Sequence, residues 1–303
     1  MIGNLLKQLW KALGASIRYR LSRLFGRQRQ QPPGSRADAN PTSIAETIPT
    51  VGLDPVYRKT IAWRTDRNDM VASGTVSNPI YQLWRGMPQG HKWTHYFETY
   101  QAVFGSRQNT PIRILEIGVL RGASLRLWKS YFHHSNTSLV GVDIDPECAR
   151  FDAPSDGIHV RIGSQADSEF LARVVDEFGP FDLIIDDGSH HSTHMIKSFN
   201  CLYAAGLKDD GIYFVEDLHA NYWLPWRDST NSFLDFCKDL LELLHAHYWK
   251  TPLSAWSAEL QSGSSLALEV PEITTMIKEI RFFDSMVAIY KTRRLHAPRY
   301  IVA

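Results

Sequence analysis

Two pairs of adjacent carboxylates are the side chains in this sequence best suited to chemistry. Asp186 and Asp187 directly follow one short apolar run, and Glu216 and Asp217 directly follow the next. If these runs are neighbouring strands, the four carboxylates lie a few ångströms apart and repel one another unless a cation joins them. Oxygen ligands of this kind favour Mg²⁺, Mn²⁺ or Ca²⁺ over zinc. Helix N-capping is the alternative, but it explains one pair more readily than both.

A histidine-rich segment follows the first carboxylate pair. His190 lies three residues after Asp187, so it is placed to act as a general base near a bound cation. His190 and His194 have the i, i+4 spacing of a zinc pair, but no glutamate follows His190 as the HExxH pattern of zinc hydrolases requires. We therefore predict that His191 and His194 lie at the surface or cap a helix.

A glycine-containing turn lies upstream, in the pattern Glu116-x-Gly118-x-x-x-Gly122. Glycine allows a sharp turn and the close approach of a ligand. The pattern departs from G-x-G-x-x-G, and a plain strand–helix turn is the alternative explanation. An acid at position 116 would repel a pyrophosphate, but it could bind the cationic end of S-adenosylmethionine directly or through water.

Polar residues also end the next two apolar runs. Asp143 lies about 20 residues beyond the glycine turn, where an acid can accept hydrogen bonds from ribose hydroxyls. Asp145 is a second candidate, but we expect it to face solvent. Ser164 and Gln165 have the donors and acceptors to bind the edge of adenine, although a simple turn explains them almost as well.

These clusters converge only if the apolar runs form one sheet. Apolar runs and helical patterns alternate from Ile112 to Trp223, which predicts right-handed βαβ units and a parallel sheet with helices on both faces. Ligands bind at the carboxyl ends of such strands. Lys278 to Lys291 then gives two strands around a tight Asp284–Ser285 turn, and strands joined so closely must be antiparallel. The predicted strands are 112–117, 139–142, 158–162, 181–185 and 211–215, and the predicted helices are 124–132, 168–178, 193–205 and 232–248.

Composition limits the class of protein. The 303 residues are 44% hydrophobic and 21% charged, as in a soluble globular protein, and the net charge of +1 gives no reason to expect nucleic acid. Cys148, Cys201 and Cys237 form no CxxC pair, which argues against a disulfide framework or a cysteine metal site and fits a reducing compartment. No uninterrupted apolar run is long enough to cross a bilayer. We therefore predict a cytoplasmic protein.

The N-terminal residues differ from the rest of the chain. Residues 1–37 contain no acid, and apolar residues recur at helical spacing, which predicts a basic amphipathic helix over residues 1–27. Such a helix could lie on an anionic membrane surface, dock a partner or pack on the domain. It lacks the continuous apolar core of a secretory signal, although a transit peptide shares its basic, acid-poor composition. Residues 28–55 are polar and proline-containing, as in a linker.

The next segment, residues 56–110, is predicted to be helical and to act as a lid. We predict an aromatic helix over residues 92–104. Its buried stripe is expected to comprise Trp93, Phe97, Tyr100 and Phe104. His95 and Tyr96 fall off this stripe, so they could reach a site. The main domain is predicted over residues 111–292, with a C-terminal tail at 293–303.

The motifs in combination resemble the metal-dependent sugar O-methyltransferases of the macrocin and mycinamicin type, together with cephalosporin-hydroxylase-like proteins. The resemblance covers about residues 80–292, as set by the motifs. The matching pieces are Lys92-Trp-Thr-His-Tyr-Phe, Leu115–Gly118, Gly122–Leu125, Gly141–Asp145, Gly163–Asp167, Asp186–His190, Val215–His219 with Tyr222-Trp223, and Phe283–Val287.

The resemblance implies an α/β fold of the Rossmann-like class I methyltransferase type. Its mostly parallel seven-stranded sheet would end in an antiparallel strand and carry helices on both faces. The implied cofactors are S-adenosylmethionine and Mg²⁺ or Mn²⁺, with the metal held by Asp187, Glu216 and Asp217 and with His190 as base. The residues assigned to S-adenosylmethionine are Glu116, Gly118, Gly122, Ser124, Asp143, Ser164, Gln165 and Asp186, and those assigned to the acceptor are His95, Tyr96, His219, Tyr222 and Trp223.

The predicted reaction is methyl transfer to a sugar hydroxyl of a glycoside, glycan or glycolipid. Two alternatives remain at this point: a related enzyme with another outcome, such as a partner in hydroxylation chemistry, and a non-catalytic cofactor-binding module tethered to a membrane or glycosylation complex. The intact acids and His190 argue against the last, because a dead domain need not keep them. A homo-oligomer is compatible with the sequence.

Overall fold

The computed structural model of this chain describes residue 54 and residues 76–249 and 268–296. The predicted helix 1–27 and nearly all of the predicted linker 28–55 lie outside the described residues. Residues 56–75 of the predicted lid segment and residues 297–303 of the tail do so as well. Among the described helices, none combines the length and the apolar character needed to span a membrane.

A mixed sheet forms the centre of the described part of the chain. Its seven strands run in the order β3-β2-β1-β4-β5-β7-β6. Strands β1 to β5 are parallel, while β7 pairs antiparallel with both β5 and β6. This arrangement confirms the predicted fold class. The strands are β1 Arg113–Ile117, β2 Ser138–Asp143, β3 Ile158–Ile162, β4 Phe181–Asp186, β5 Leu207–Val215, β6 Ile277–Phe283 and β7 Met286–Lys291.

Helices cover both faces of this sheet. Their apolar side chains, which recur at helical spacing, pack against the strands. On one face, Trp128, Tyr100 and Phe104 pack together against Phe214 of β5. On the other face, Phe199 packs against Tyr213 of β5. The described helices are α1 Pro79–Trp84, α2 Tyr96–Phe104, α3 Ala123–Tyr131, α4 Ser168–Phe178, α5 Ser192–Leu202, α6 Phe233–Leu244, α7 Ala246–Trp249 and α8 Glu272–Met276.

The aromatic helix α2 differs from its prediction at its start. Phe97, Tyr100 and Phe104 are buried as expected, but Trp93 is 50% exposed. Because α2 begins at Tyr96, Trp93 lies before the helix and no longer shares its buried face. The prediction for Trp93 is therefore wrong.

Candidate active site

The carboxyl ends of β1, β4 and β5 lie side by side and bring the predicted clusters together. Ile117 is in register with Asp186, and Asp186 is in register with Val215. The backbone N–H groups of the two residues that follow β4 and β5, Asp187 and Glu216, donate across these strand ends. The loops that follow β1, β4 and β5 therefore open on one site, as expected for a parallel sheet.

A lysine to which the sequence analysis assigned no role joins two of the acids. Lys92 Nζ lies 2.5 Å from Asp187 Oδ2 and 2.5 Å from Glu216 Oε2. Its side chain is only 7% exposed. Burial by itself would lower the pKa of Lys92, but the attraction of the two carboxylates outweighs it and raises that pKa well above the ordinary value. Lys92 is therefore a buried ammonium group.

Asp187 and Asp217 form a compact set with His190. Ligand atoms of Asp187, His190 and Asp217 all lie within 4.8 Å of one another, and His190 Nε2 is 3.6 Å from Asp217 Oδ2. Two carboxylate oxygens and an imidazole nitrogen suit a divalent cation. Glu216, the third predicted ligand, is buried behind this set on Lys92.

His190 is held in an unusual backbone conformation. Its φ is 58°, and that of Asp217 is 54°, both in the left-handed region that non-glycine residues rarely adopt. Burial lowers the pKa of His190, although Asp187 and Asp217 oppose this shift. The imidazole is therefore favoured in its neutral form, which is the form that can accept a proton.

A second set of hydrogen bonds ties Asp217 to the β6–β7 hairpin. The Tyr96 hydroxyl lies 2.6 Å from Asp217 Oδ1 and 3.0 Å from Ser285 Oγ. His219 contacts the same serine oxygen through its Nδ1 atom and its backbone N–H. The sequence placed Tyr96 near a site, but the role of Ser285 was missed.

The glycine turn after β1 lies against the loop after β4. A Cβ atom on Gly118, which has a φ of +98°, would stand 2.1 Å from the carbonyl oxygen of Asp187. Gly122 adopts the left-handed conformation at the N-cap of α3. Asp143 Oδ2 accepts from the backbone N–H groups of Val119 and Leu120, at 3.0 and 2.8 Å. Asp143 therefore braces this turn.

A buried acid lies beneath the turn. Glu116 is 1% exposed, and its Oε1 atom accepts a hydrogen bond of 3.0 Å from the Trp128 indole. Burial raises the pKa of Glu116 to about 7, while Lys92 and the hydroxyl of Ser124 oppose the shift. Ser124 is itself buried in the first turn of α3.

Gln165 and Asp186 use their polar groups inside the protein. The Gln165 amide nitrogen donates to Asp186 and to Ser198, and its oxygen accepts from the Ser189 backbone at 2.6 Å. Tyr213 also donates to Asp186. These contacts give both residues a role in supporting the loop that carries His190, and none of them supports the predicted contact with cofactor. Ser164, also predicted to bind cofactor, accepts from the Ala166 backbone within its turn.

An aromatic surface borders the site. The ring of His219 lies 5.6 Å from that of Trp93 and 4.4 Å from that of Trp223. Tyr222 is 72% exposed and Trp223 is 45% exposed, so their faces are accessible. His95 packs against Tyr96 at a ring distance of 4.8 Å. Of the five residues predicted for the acceptor, His95, His219 and Trp223 lie along this border. Tyr222 is exposed beside Trp223 in the chain, whereas Tyr96 is buried.

The two other histidines lie outside the compact set. The Nδ1 atom of His194 contacts the Ser189 hydroxyl at 2.9 Å, and that of His191 contacts the Trp226 carbonyl at 3.1 Å. The first bond joins α5 to the loop before it, and the second joins the residue before α5 to Trp226. Neither histidine belongs to the compact set of Asp187, His190 and Asp217.

Comparison with known proteins shows what the central part of the chain is similar to. Residues 115–218 match a family model described as a methyltransferase domain. A tetracenomycin rhamnosyl 3′-O-methyltransferase of Streptomyces olivaceus is 34% identical over 173 residues, or 53% of this chain and 43% of the relative. The L-olivosyl-oleandolide 3-O-methyltransferase of Streptomyces antibioticus is 33% identical over 210 residues, or 63% of this chain and 50% of the relative.

The solved structures agree with these relatives. The MycE methyltransferase of the mycinamycin biosynthetic pathway, solved with Mg and SAH, matches at a TM-score of 0.58 and 25% identity. The match covers 71% of this chain and 53% of MycE. The chain thus spans about half the length of the relatives it matches. These matches confirm the resemblance to sugar O-methyltransferases.

Proposed function

We propose that this chain is an S-adenosylmethionine- and metal-dependent O-methyltransferase that acts on a sugar hydroxyl. The observation that carries this proposal is the convergence of Asp187, His190 and Asp217 beside the glycine turn of β1. Similarity to named sugar O-methyltransferases supports the reaction type.

The cofactor would lie over the glycine turn. A Cβ atom on Gly118 or Gly122 would collide with Asp187 or Phe151, so these glycines shape the turn, and Glu116 with Ser124 would lie nearest the methionine end. Asp143 also accepts from the Asp145 backbone N–H through Oδ1. This atom keeps a lone pair that could accept from a ribose hydroxyl. The complex of MycE with SAH supports a cofactor of this class.

The donor set fits a divalent ion such as Mg²⁺. Asp187 and Asp217 would hold the ion, with Glu216 as the third acid predicted for this role. When bound, the ion supplies Lewis-acid stabilisation of a developing alkoxide on the acceptor. The complex of MycE with Mg supports this assignment.

His190 would remove the proton of the acceptor hydroxyl. Its pKa is lowered by burial, so the free base is available near neutral pH. Asp217, at 3.6 Å from Nε2, would stabilise the imidazolium that forms. Alignment of the acceptor oxygen with the activated methyl group supplies much of the remaining rate.

The acceptor would be a glycoside, glycan or glycolipid placed against the aromatic surface. His95, His219, Tyr222 and Trp223 would line the approach to the acids, and Tyr96 donates a hydrogen bond to Asp217. Relatives named for rhamnosyl, olivosyl and mycinamicin substrates support a sugar on a larger molecule.

The three free cysteines are consistent with action in the cytoplasm.

Calorimetric titration with S-adenosylmethionine, in Mg²⁺ and in EDTA, is the primary test. We expect one cofactor per chain, followed by methyl transfer to a sugar acceptor that requires Mg²⁺. Absence of cofactor binding under both conditions would contradict the proposal.

The His190→Ala variant tests the proposed base. We expect at least a 100-fold loss of kcat, as for the removal of a general base, with cofactor affinity unchanged. His194→Ala, which removes a neighbouring histidine on α5, is the matched control and should retain most turnover. Near wild-type activity of His190→Ala would exclude this histidine as base.

A further inference from the structure

The carboxylates of Asp187, Glu216 and Asp217, here called the acid cluster, repel one another, and a side chain of this protein offsets part of that repulsion. Asp187, Glu216 and Asp217 follow adjacent strands, and the side chain of Glu216 is only 1% exposed. Like charges this close, with one of them out of water, disfavour ionisation and folding. Some cation must therefore be present if the cluster is to keep its charge.

Lys92 meets this need without any ion from solution. Its ammonium group lies 2.5 Å from both Asp187 Oδ2 and Glu216 Oε2, within reach of a charge-assisted hydrogen bond to each. The Lys92 side chain is 7% exposed, so water screens these contacts little. Lys92 precedes α2, so the contact also joins the segment before α2 to the ends of β4 and β5.

The geometry shows what remains for a metal. Ligand atoms of Asp187, His190 and Asp217 lie within 4.8 Å of one another, whereas Glu216 lies outside this set and contacts Lys92. Lys92 contacts one oxygen of Asp187 and does not contact Asp217 in the bonds described, so it leaves ligand atoms on both.

We propose that Lys92 is the built-in cation of a two-cation site, a positioning residue that holds Asp187 and Glu216 together when no metal is bound and leaves ligand atoms of Asp187 and Asp217 for one divalent ion. The part that concerns the divalent ion rests on the proposed function. The part that concerns Lys92 and the two acids does not, because it applies to the protein in EDTA.

Thermal melting of the full chain with Lys92→Met, in EDTA and in excess Mg²⁺, tests this proposal. In EDTA we expect the melting temperature to fall by about 10 °C, because a buried ion pair loses one partner in a domain of this size. Excess Mg²⁺ should raise the melting temperature more in the variant than in the wild type, since the divalent ion replaces part of the missing positive charge. Lys92→Arg, which keeps the charge, should restore part of the loss.

Lys208→Met is the matched control. Lys208 pairs with Asp182 at 2.8 Å near the opposite end of β4, but its side chain is 37% exposed. We expect a change of about 2 °C or less in EDTA, because exposed ion pairs contribute little. Its response to Mg²⁺ should equal that of the wild type.

The double variant Lys92→Met/Glu216→Gln keeps the proposal testable if the single variant does not fold. It removes both buried charges, so it should fold and melt above the single variant in EDTA. A double variant no more stable than the single one would overturn the proposal. A single variant that melts like the wild type in EDTA would overturn it as well. Where the wild type responds to Mg²⁺, a variant response that does not exceed the wild-type response would also overturn it. A wild-type protein without any Mg²⁺ response would instead contradict the metal dependence in the proposed function.

Discussion

The buried carboxyl of Glu116 gives a prediction about stability and pH. Its pKa is raised from 4.5 in the unfolded chain to about 7 in the fold, mainly by burial. The stability it contributes is therefore fully present below pH 4.5 and is lost as the pH rises through about 7. A shift of this size corresponds to about 3 kcal/mol, at about 1.4 kcal/mol per pKa unit.

Glu116→Gln removes this titration while keeping the hydrogen bond from Trp128. Between pH 5 and pH 8 the variant should gain about 1–3 kcal/mol in free energy of unfolding relative to wild type. Urea unfolding of both proteins at the two pH values measures the difference. A difference that is the same at both would contradict the raised pKa. Asp186, whose pKa is also raised to about 7 by burial, is present in both proteins and cancels.

Side-chain direction is what the sequence could not supply at the residue scale. Asp186 and Asp187 are adjacent, so they point to opposite sides at the end of β4. Asp186 faces Tyr213 and Gln165, whereas Asp187 faces Lys92. Lys92 lies 95 residues before Asp187, and its pairing depends on how the segment before α2 reaches the sheet. The spacing of charged residues predicted the need for a cation but not its identity.

At the scale of elements, the turn after β1 depends on Gly118. Gly118→Ala would place Cβ against the backbone oxygen of Asp187 and force a side chain into φ of +98°. We expect a loss of about 3 kcal/mol or more in free energy of unfolding, and cofactor affinity at least 10-fold weaker. Chemical denaturation and calorimetry measure the two effects.

Gly86→Ala is the control for this substitution. A Cβ atom there would have its nearest neighbour at 3.5 Å, an ordinary contact, so stability should change by about 0.5 kcal/mol or less. Equal effects of the two variants would mean that close approach at Gly118 is unimportant.

The antiparallel hairpin gives a second prediction at this scale. Ser285, at its tip with a φ of 65°, accepts a hydrogen bond from Tyr96 and contacts His219, so it orients the groups around Asp217. Ser285→Ala should lower kcat and metal affinity about 10-fold, as is typical when an outer partner of a site is lost. Asp284→Ala, in the same turn with a side chain 89% exposed, should change neither by more than about twofold. Unchanged metal affinity in Ser285→Ala would exclude this role.

The elements themselves were predicted well where apolar periodicity was strong. Helix α4 and strand β3 have the predicted bounds, and the hairpin turn is at Asp284–Ser285. Predictions failed where local hydrogen bonding decides the boundary: β5 begins at Leu207 instead of residue 211, and the helix predicted over 232–248 is divided at His245. Apolar periodicity shows which face of an element is buried. It does not show where the hydrogen bonding of a strand begins or where a helix ends.

At the scale of the whole molecule, the order of strands explains why distant motifs form one site. Strand β1 lies between β2 and β4, at the point where the chain reverses direction across the sheet. The glycine turn, Asp143 and the acids after β4 and β5 therefore meet, although they span about a hundred residues of chain, as in other doubly wound sheets. The alternation of strands and helices along the sequence is enough to predict this convergence.

The basic N-terminal segment gives the last prediction, which concerns the full chain. We propose that residues 1–37 bind an anionic membrane surface. This segment contains no acid and carries eight basic residues: Lys7, Lys11, Arg18, Arg20, Arg23, Arg27, Arg29 and Arg36. A variant that begins after residue 55 should keep the melting temperature and cofactor affinity of the full chain. It should lose cosedimentation with vesicles containing about 30% anionic lipid at low salt. Vesicles of neutral lipid are the control, and the binding should weaken at high salt because the attraction is screened. Equal sedimentation of the full and shortened chains would contradict a membrane role and favour a protein partner for this segment.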